Sequence, residues 1–232
     1  MAHRRSLFRY YADQKWADAF LGGQFRFWSL AYFRDLEDKG VRGDENEGTS
    51  LFRPEAGLQI TNHTQGTKFT MPNHTMTSAA RQDEILVFCA SRSFSASLWD
   101  EFSARVCFEI TDIPAFCARV RARLPREARF PGRPGRERLG QRVEYYRVSD
   151  APGTRWALPD RIASSKLADY SPQDEFRLVF SVTGALAFQN LSMTLVPEGA
   201  KADPRIAEHK FHDVSVGSLR DICLVHETKP AT

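Results

Sequence analysis

Residues Ile85–Ile110, ILVFCASRSFSASLWDEFSARVCFEI, constrain the fold more than any other stretch. Ile85–Cys89 is a short apolar run, and the small-polar segment Ala90-Ser91-Arg92-Ser93 follows it. Trp99, Asp100 and Phe102 lie beyond, and Arg105–Ile110 alternates again. The pattern predicts two strands flanking a short turn or helix. A hydroxyl-rich end on a buried strand is a common place for ligand contacts. Lys166–Val182 has a similar form, a polar loop running into a strand with an acidic residue at its mouth. A functional reading depends on whether those two strand mouths meet.

The rest of the chain fits around these strands. Leu7–Tyr11 is a short aromatic strand. Asp13 caps a helix whose Trp16 and Phe20 fall at i,i+4 and which ends at Gly22-Gly23. Phe25–Phe33 is one apolar segment, and Leu51–Ala80 reads as short strands and loops. Asp112 opens a second helix, with Pro114 in its first turn and Ile113, Phe116, Cys117, Val120 and Leu124 on one face. Arg142–Val148, Phe176–Val182, Leu191–Val196, Lys210–Val216 and Ile222–Val225 are further strands. Strands outnumber helices, so the class is α+β with mixed or antiparallel sheets. No linker divides the 232 residues, which predicts a single domain over 1–232 with Pro125–Gln141, rich in Arg, Pro and Gly, as a loop or insertion.

Composition excludes several classes. Apolar residues make up 42%, too many for a disordered chain. No apolar run is long enough to span a membrane. MAHRRSLFRYY lacks the long apolar run of a signal peptide, and the four cysteines match no zinc spacing, so a reducing, cytoplasmic setting is expected. Net charge is +3, but Arg119–Arg147 holds ten arginines against three glutamates. That segment suits nucleic acid, nucleotide phosphates or an acidic protein partner. Asp35–Gly48 is acidic. Its Asp35, Asp38 and Glu45 are the metal-ligand candidates of an alternative reading, a nucleic-acid-binding protein or metal-dependent nuclease, although the spacing fits no calcium loop. A further alternative is a non-catalytic defence or interaction domain.

Three short motifs carry candidate chemistry. In Phe8-Arg9-Tyr10-Tyr11, an arginine beside aromatic rings can fork onto phosphate while a ring stacks on a base. Ser91 and Ser93 offer two hydroxyls to a ribose. In Tyr170-Ser171-Pro172-Gln173-Asp174-Glu175, Gln173 and Glu175 share a face if extended, and a carboxylate there can hold a ribose hydroxyl and stabilise an oxocarbenium-like centre. No phosphate-binding P-loop, dinucleotide GxGxxG or GxSxG motif competes.

In this order the motifs resemble those of mono-ADP-ribosyltransferases of the Arg–Ser–Glu type. The resemblance implies a split-sheet core and NAD as substrate, with ADP-ribose passed to a protein or nucleic-acid acceptor, or to water. It implies Arg9 on the diphosphate with Tyr10 beside it, Ser91 and Ser93 at the nicotinamide site, Gln173 orienting the acceptor and Glu175 as the catalytic carboxylate. Such enzymes include bacterial toxins, and no resident metal is implied. Arg92 departs from the pattern, which usually has Thr there. Most of the chain also resembles a widespread bacterial domain family without an assigned activity, through Phe8–Tyr11, Trp16–Gly23, Phe25–Phe33 into Asp35–Asp38, Phe88–Trp99, Lys166 and Glu175-Phe176-Arg177-Leu178-Val179.

Overall fold

A computed structural model describes residues 6–36, 43–198, 200 and 208–230. In chain order its elements are β1 (Leu7–Tyr11), α1 (Gln14–Leu21), β2 (Gln24–Ser29), α2 (Leu30–Asp35), β3 (Thr49–Phe52), β4 (Leu58–Asn62), β5 (Thr67–Met71), β6 (His74–Ala80), β7 (Leu86–Ser91), α3 (Ala96–Glu101) and β8 (Val106–Ile110). There follow α4 (Ile113–Arg121), β9 (Gly140–Arg142), β10 (Glu144–Tyr146), α5 (Pro159–Ile162), β11 (Ser165–Leu167), β12 (Glu175–Phe180), β13 (Leu191–Pro197), β14 (Phe211–Ser215) and β15 (Cys223–His226). The class is α+β with mostly antiparallel pairing; β10 and β11 are parallel. Among the described residues, no helix is long and apolar enough to cross a membrane.

The helices begin where side chains satisfy their free N–H groups. Asp13 accepts from the Lys15 N–H at 2.8 Å, and Asp112 accepts from Ala115 at 2.9 Å. Ser29 caps α2, so the apolar segment Phe25–Phe33 is not one element but a strand followed by a helix. The pairing of Trp16 with Phe20 also needs correction. α1 buries Ala17, Phe20 and Leu21, while Trp16, one step off that face, stays 59% exposed. Arg142–Val148 breaks at Val143, whose N–H donates to the Glu175 carbonyl; β9 stays on the sheet edge and β10 leaves to join β11.

The main sheet runs β14-β2-β7-β1-β8-β15, with β12 and then β9 added beside β7. β7 has two unlike edges. Along one, Leu86–Ser91 pairs in full with Phe180–Glu175 of β12. Along the other, Leu86 and Val87 pair with Ser29 and Trp28 of β2, and Ser91 pairs with Phe8 of β1. Phe88, Cys89 and Ala90 have no ladder partner there among the described residues. Between β2 and β1, this edge of β7 is therefore left open over three residues, a split in one continuous sheet.

Alternation along the strands sorts side chains between the two faces. Phe88 and Leu178 join Phe20, Phe108 and Phe116 in the larger core, where Phe20 stacks on Phe88 at 6.0 Å. On the other face, Val87 and Val179 pack with Leu30, Ile85 and Ile162.

Candidate functional site

The split opens into a cleft of about 760 Å³. Arg9, Tyr10, Ser91, Gln173 and Glu175 all line it, whereas Ser93 does not. Ser91 and Glu175 are direct cross-strand partners, so their side chains leave the same face side by side.

Arg9 arrives differently. Phe8, not Arg9, pairs with Ser91, so Arg9 leaves β1 on the opposite face, with Leu7 and Tyr11. Its guanidinium lies over the Phe88 ring at 5.0 Å and the Tyr11 ring at 5.5 Å, and Nη1 donates to the Cys89 carbonyl at 2.7 Å. That carbonyl lies on the free edge of β7, so the arginine fills part of the split. Arg9 Nε is buried without a partner. Cys89 then joins the two faces: its carbonyl takes Arg9, and its side chain leaves β7 on the face that Ser91, Glu175 and Arg177 share.

Other members of the motifs have structural duties. The Tyr10 hydroxyl donates to the Ser93 carbonyl at 2.7 Å and accepts from the Ser95 N–H at 2.9 Å; burial raises its pKa to about 12. Its ring stacks on Phe102 at 5.6 Å. Ser91 Oγ accepts from the Ser93 N–H at 3.0 Å and donates to the Ser93 carbonyl at 3.1 Å. Ser93 Oγ donates to Asp174 Oδ2 at 2.7 Å, and Arg92 binds Oδ1 of the same carboxylate at 3.0 Å. The Ser-Arg-Ser segment thus grips the residue between Gln173 and Glu175. Asp174 adopts a left-handed conformation (φ 40°), which ends the 3₁₀ turn Ala168–Gln173. The expected open loop before β12 is that turn.

Lys166, Glu175 and Arg177 of the cleft wall join Glu47 in a group of four buried charges that motif reading did not assemble. Arg177 forks onto Glu47 with two 2.7 Å bonds, touches Glu175 at 3.1 and 3.3 Å, and donates to the Ala163 carbonyl at 2.7 Å. Lys166 Nζ lies 3.1 Å from Glu175, 3.7 Å from Glu47 and 3.1 Å from Gln173 Oε1. Two cations and two anions balance. Burial opposes every charge in the group. For Glu175, Arg177 and Lys166 outweigh it and hold the pKa well below the usual carboxylate range; the two carboxylates likewise push Lys166 and Arg177 upward. Beside them, burial and then Glu47 raise Asp44 to about 6.

Such a quartet contributes little net stability, because desolvation consumes most of the Coulomb gain. Its place in the wall of a cleft makes it the candidate site. Arg177 was findable from sequence as the one charge inside Phe176–Phe180, two residues from Glu175. Glu47 had no such signal, because its partners lie far along the chain.

The described residues of the acidic segment do not gather as a metal site. Asp35 binds Arg34 and His209, Glu45 is exposed, and Glu47 belongs to the quartet. Asp38 lies outside the described residues. Among the described residues, no three His, Cys, Asp or Glu side chains are grouped to hold a metal. Compared with protein-family models, curated proteins and solved structures, the chain matches none.

Proposed function

We propose that the cleft binds NAD and that the protein cleaves its nicotinamide–ribose bond, passing ADP-ribose to a protein or nucleic-acid acceptor or to water. One observation carries the reading: Glu175 and Ser91 stand side by side on paired strands in the wall of a cleft that Arg9 also lines. A dinucleotide needs a cation for its diphosphate and a carboxylate for its ribose within one ligand's reach. Arg9 supplies the first from the wall of the cleft, where the Phe88 and Tyr11 rings flank its guanidinium. Also lining the cleft, Trp28 stacks on Tyr32 at 4.0 Å and Trp16 is exposed, which suits a base.

Glu175 is fully ionised in this setting. Three of its four lone-pair positions are met by two Arg177 donors and Lys166. The fourth is the one a ribose hydroxyl takes. The glycosidic bond then breaks with its electron pair leaving on nicotinamide. The acceptor's lone pair forms the new bond at the ribose carbon and its proton passes to solvent. Lys166 and Arg177 fix the carboxylate while positive charge develops on the sugar, so no reorganisation is needed at that moment. Gln173, held by Lys166, faces the acceptor.

Calorimetric titration with NAD tests the binding step. Saturable heat that ADP-ribose competes away, and that weakens at least tenfold in Arg9→Met, supports the proposal; absence of heat at millimolar NAD overturns it.

A further inference from the structure

The Arg-rich segment forms a built surface. Arg129 bridges Ser181 just beyond β12, with N–H···O bonds of 2.8 and 3.1 Å, and the Leu139 carbonyl accepts from Val179 at 2.8 Å. The chain between these anchors leaves the sheet edge and returns to it. Inside the excursion, Arg138 N–H donates to the Pro131 carbonyl at 2.9 Å and Arg136 to Arg133 at 2.8 Å. Gly132 and Gly135 take positive φ at its bends. The loop therefore has a defined shape.

Two neighbours complete the surface. Arg121, at the end of α4, lies over the Phe130 ring at 4.5 Å. Asp160 of α5 accepts from the Gly132 N–H at 3.2 Å, and Arg161 follows it in α5. Arg121, Arg129, Arg133, Arg136, Arg138 and Arg161 are all exposed. Elsewhere, the exposed Arg105 and Arg220 have no carboxylate partner among the described residues, whereas Arg26, Arg53, Arg81, Arg92 and Arg119 each pair with one. Among the described residues, none of the six loop-face guanidinium groups does.

We propose that this loop face docks the phosphate backbone of a nucleic acid. Guanidinium groups left without internal counter-ions keep all their donors for phosphate oxygens, and each phosphate they neutralise releases condensed cations. The only aromatic ring in the group, Phe130, is half-buried under Arg121, which favours backbone contact over base stacking. The inference is independent of NAD binding, because no residue of the loop lines the cleft.

Fluorescence anisotropy with a labelled single-stranded oligonucleotide and a duplex of equal length, across a sodium chloride series, tests it. The account predicts a linear fall of log affinity with log salt. Replacing Arg133, Arg136 and Arg138 together by Gln lowers the magnitude of the single-strand slope by about 2 and weakens low-salt binding more than tenfold. The matching Lys triple retains the slope, which separates loss of charge from loss of loop shape. No binding to either probe, an unchanged slope in the Gln triple, or equal affinity for polyglutamate overturns the proposal.

Discussion

Arg177 lies two residues after Glu175 in β12, so both side chains leave the same face and the guanidinium folds back onto the carboxylate at 3.1 Å. The same arginine reaches Glu47, and Lys166 closes the group from β11. Removing one member leaves an uncompensated buried charge. Glu175→Gln therefore costs about 3–5 kcal/mol of stability. Adding Lys166→Met restores the charge balance and recovers part of that loss. Thermal or urea unfolding of the wild type, both single variants and the double variant measures the coupling. Simple additivity would contradict the charge-balance account.

Cys89 provides a second test, because its side chain lies on the face of the sheet that carries Ser91, Glu175 and Arg177. Cys89→Ala leaves the carboxylate's charged partners in place and keeps NAD turnover near the wild-type rate. Cys89→Ser introduces a stronger donor and lowers turnover several-fold. Steady-state rates for the two variants, with folding checked by circular dichroism, decide the matter. A loss of equal size in both would assign Cys89 to packing alone.

Burial, and then Glu47, raise Asp44 to about 6. A raised carboxyl pKa means that the folded state holds its proton more tightly than the unfolded chain. The stability it contributes is present below about pH 4 and is lost as pH rises through about 6. Glu175 has the opposite sign: its contribution is present above the usual glutamate pKa and falls as pH drops below it. Asp44→Asn can keep the bond to the Asn46 N–H. Melting curves are expected to show the variant more stable than wild type by a few degrees at pH 8 and no more stable at pH 4. A difference independent of pH would show that Asp44 does not titrate in this window.

Gly23 fixes how β14 meets the cleft. It has φ +87°, and a Cβ built there would lie 1.8 Å from the Gly217 carbonyl oxygen. Its own carbonyl accepts from Val216 at 2.9 Å. Gly23→Ala must push the two backbones apart and is expected to lower the melting temperature by more than ten degrees, or to prevent soluble expression. Gly66→Ala, also at positive φ but with open space around it, costs about 1 kcal/mol. Equal melting temperatures for the two variants would contradict the close-approach argument.

Local patterns made much of this fold legible. Leu7–Tyr11 has matching limits in the structure, and the caps Asp13 and Asp112 stand where their helices begin. Ser29 was hidden because Phe25–Phe33 is apolar on both sides of it, and only the register against Val87 and Leu86 shows where the strand stops. At the site, Ser91 and Glu175 were readable as strand mouths, but their pairing is a long-range register that spacing does not encode. Arg9 was placed on the right strand, yet its exit from the face opposite Ser91 depends on the single Phe8–Ser91 pair. Glu47 meets Arg177 across the fold, and an acidic loop carries no mark of that contact.

Nicotinamide release at millimolar NAD, followed by chromatography, tests the central claim most directly. The comparison is between wild type and the charge-balanced Lys166→Met, Glu175→Gln variant, after both are shown to be folded. The account predicts measurable release by wild type and a loss of about a hundredfold or more in the variant. Release no faster than in buffer, or equal release by the two proteins, would contradict it.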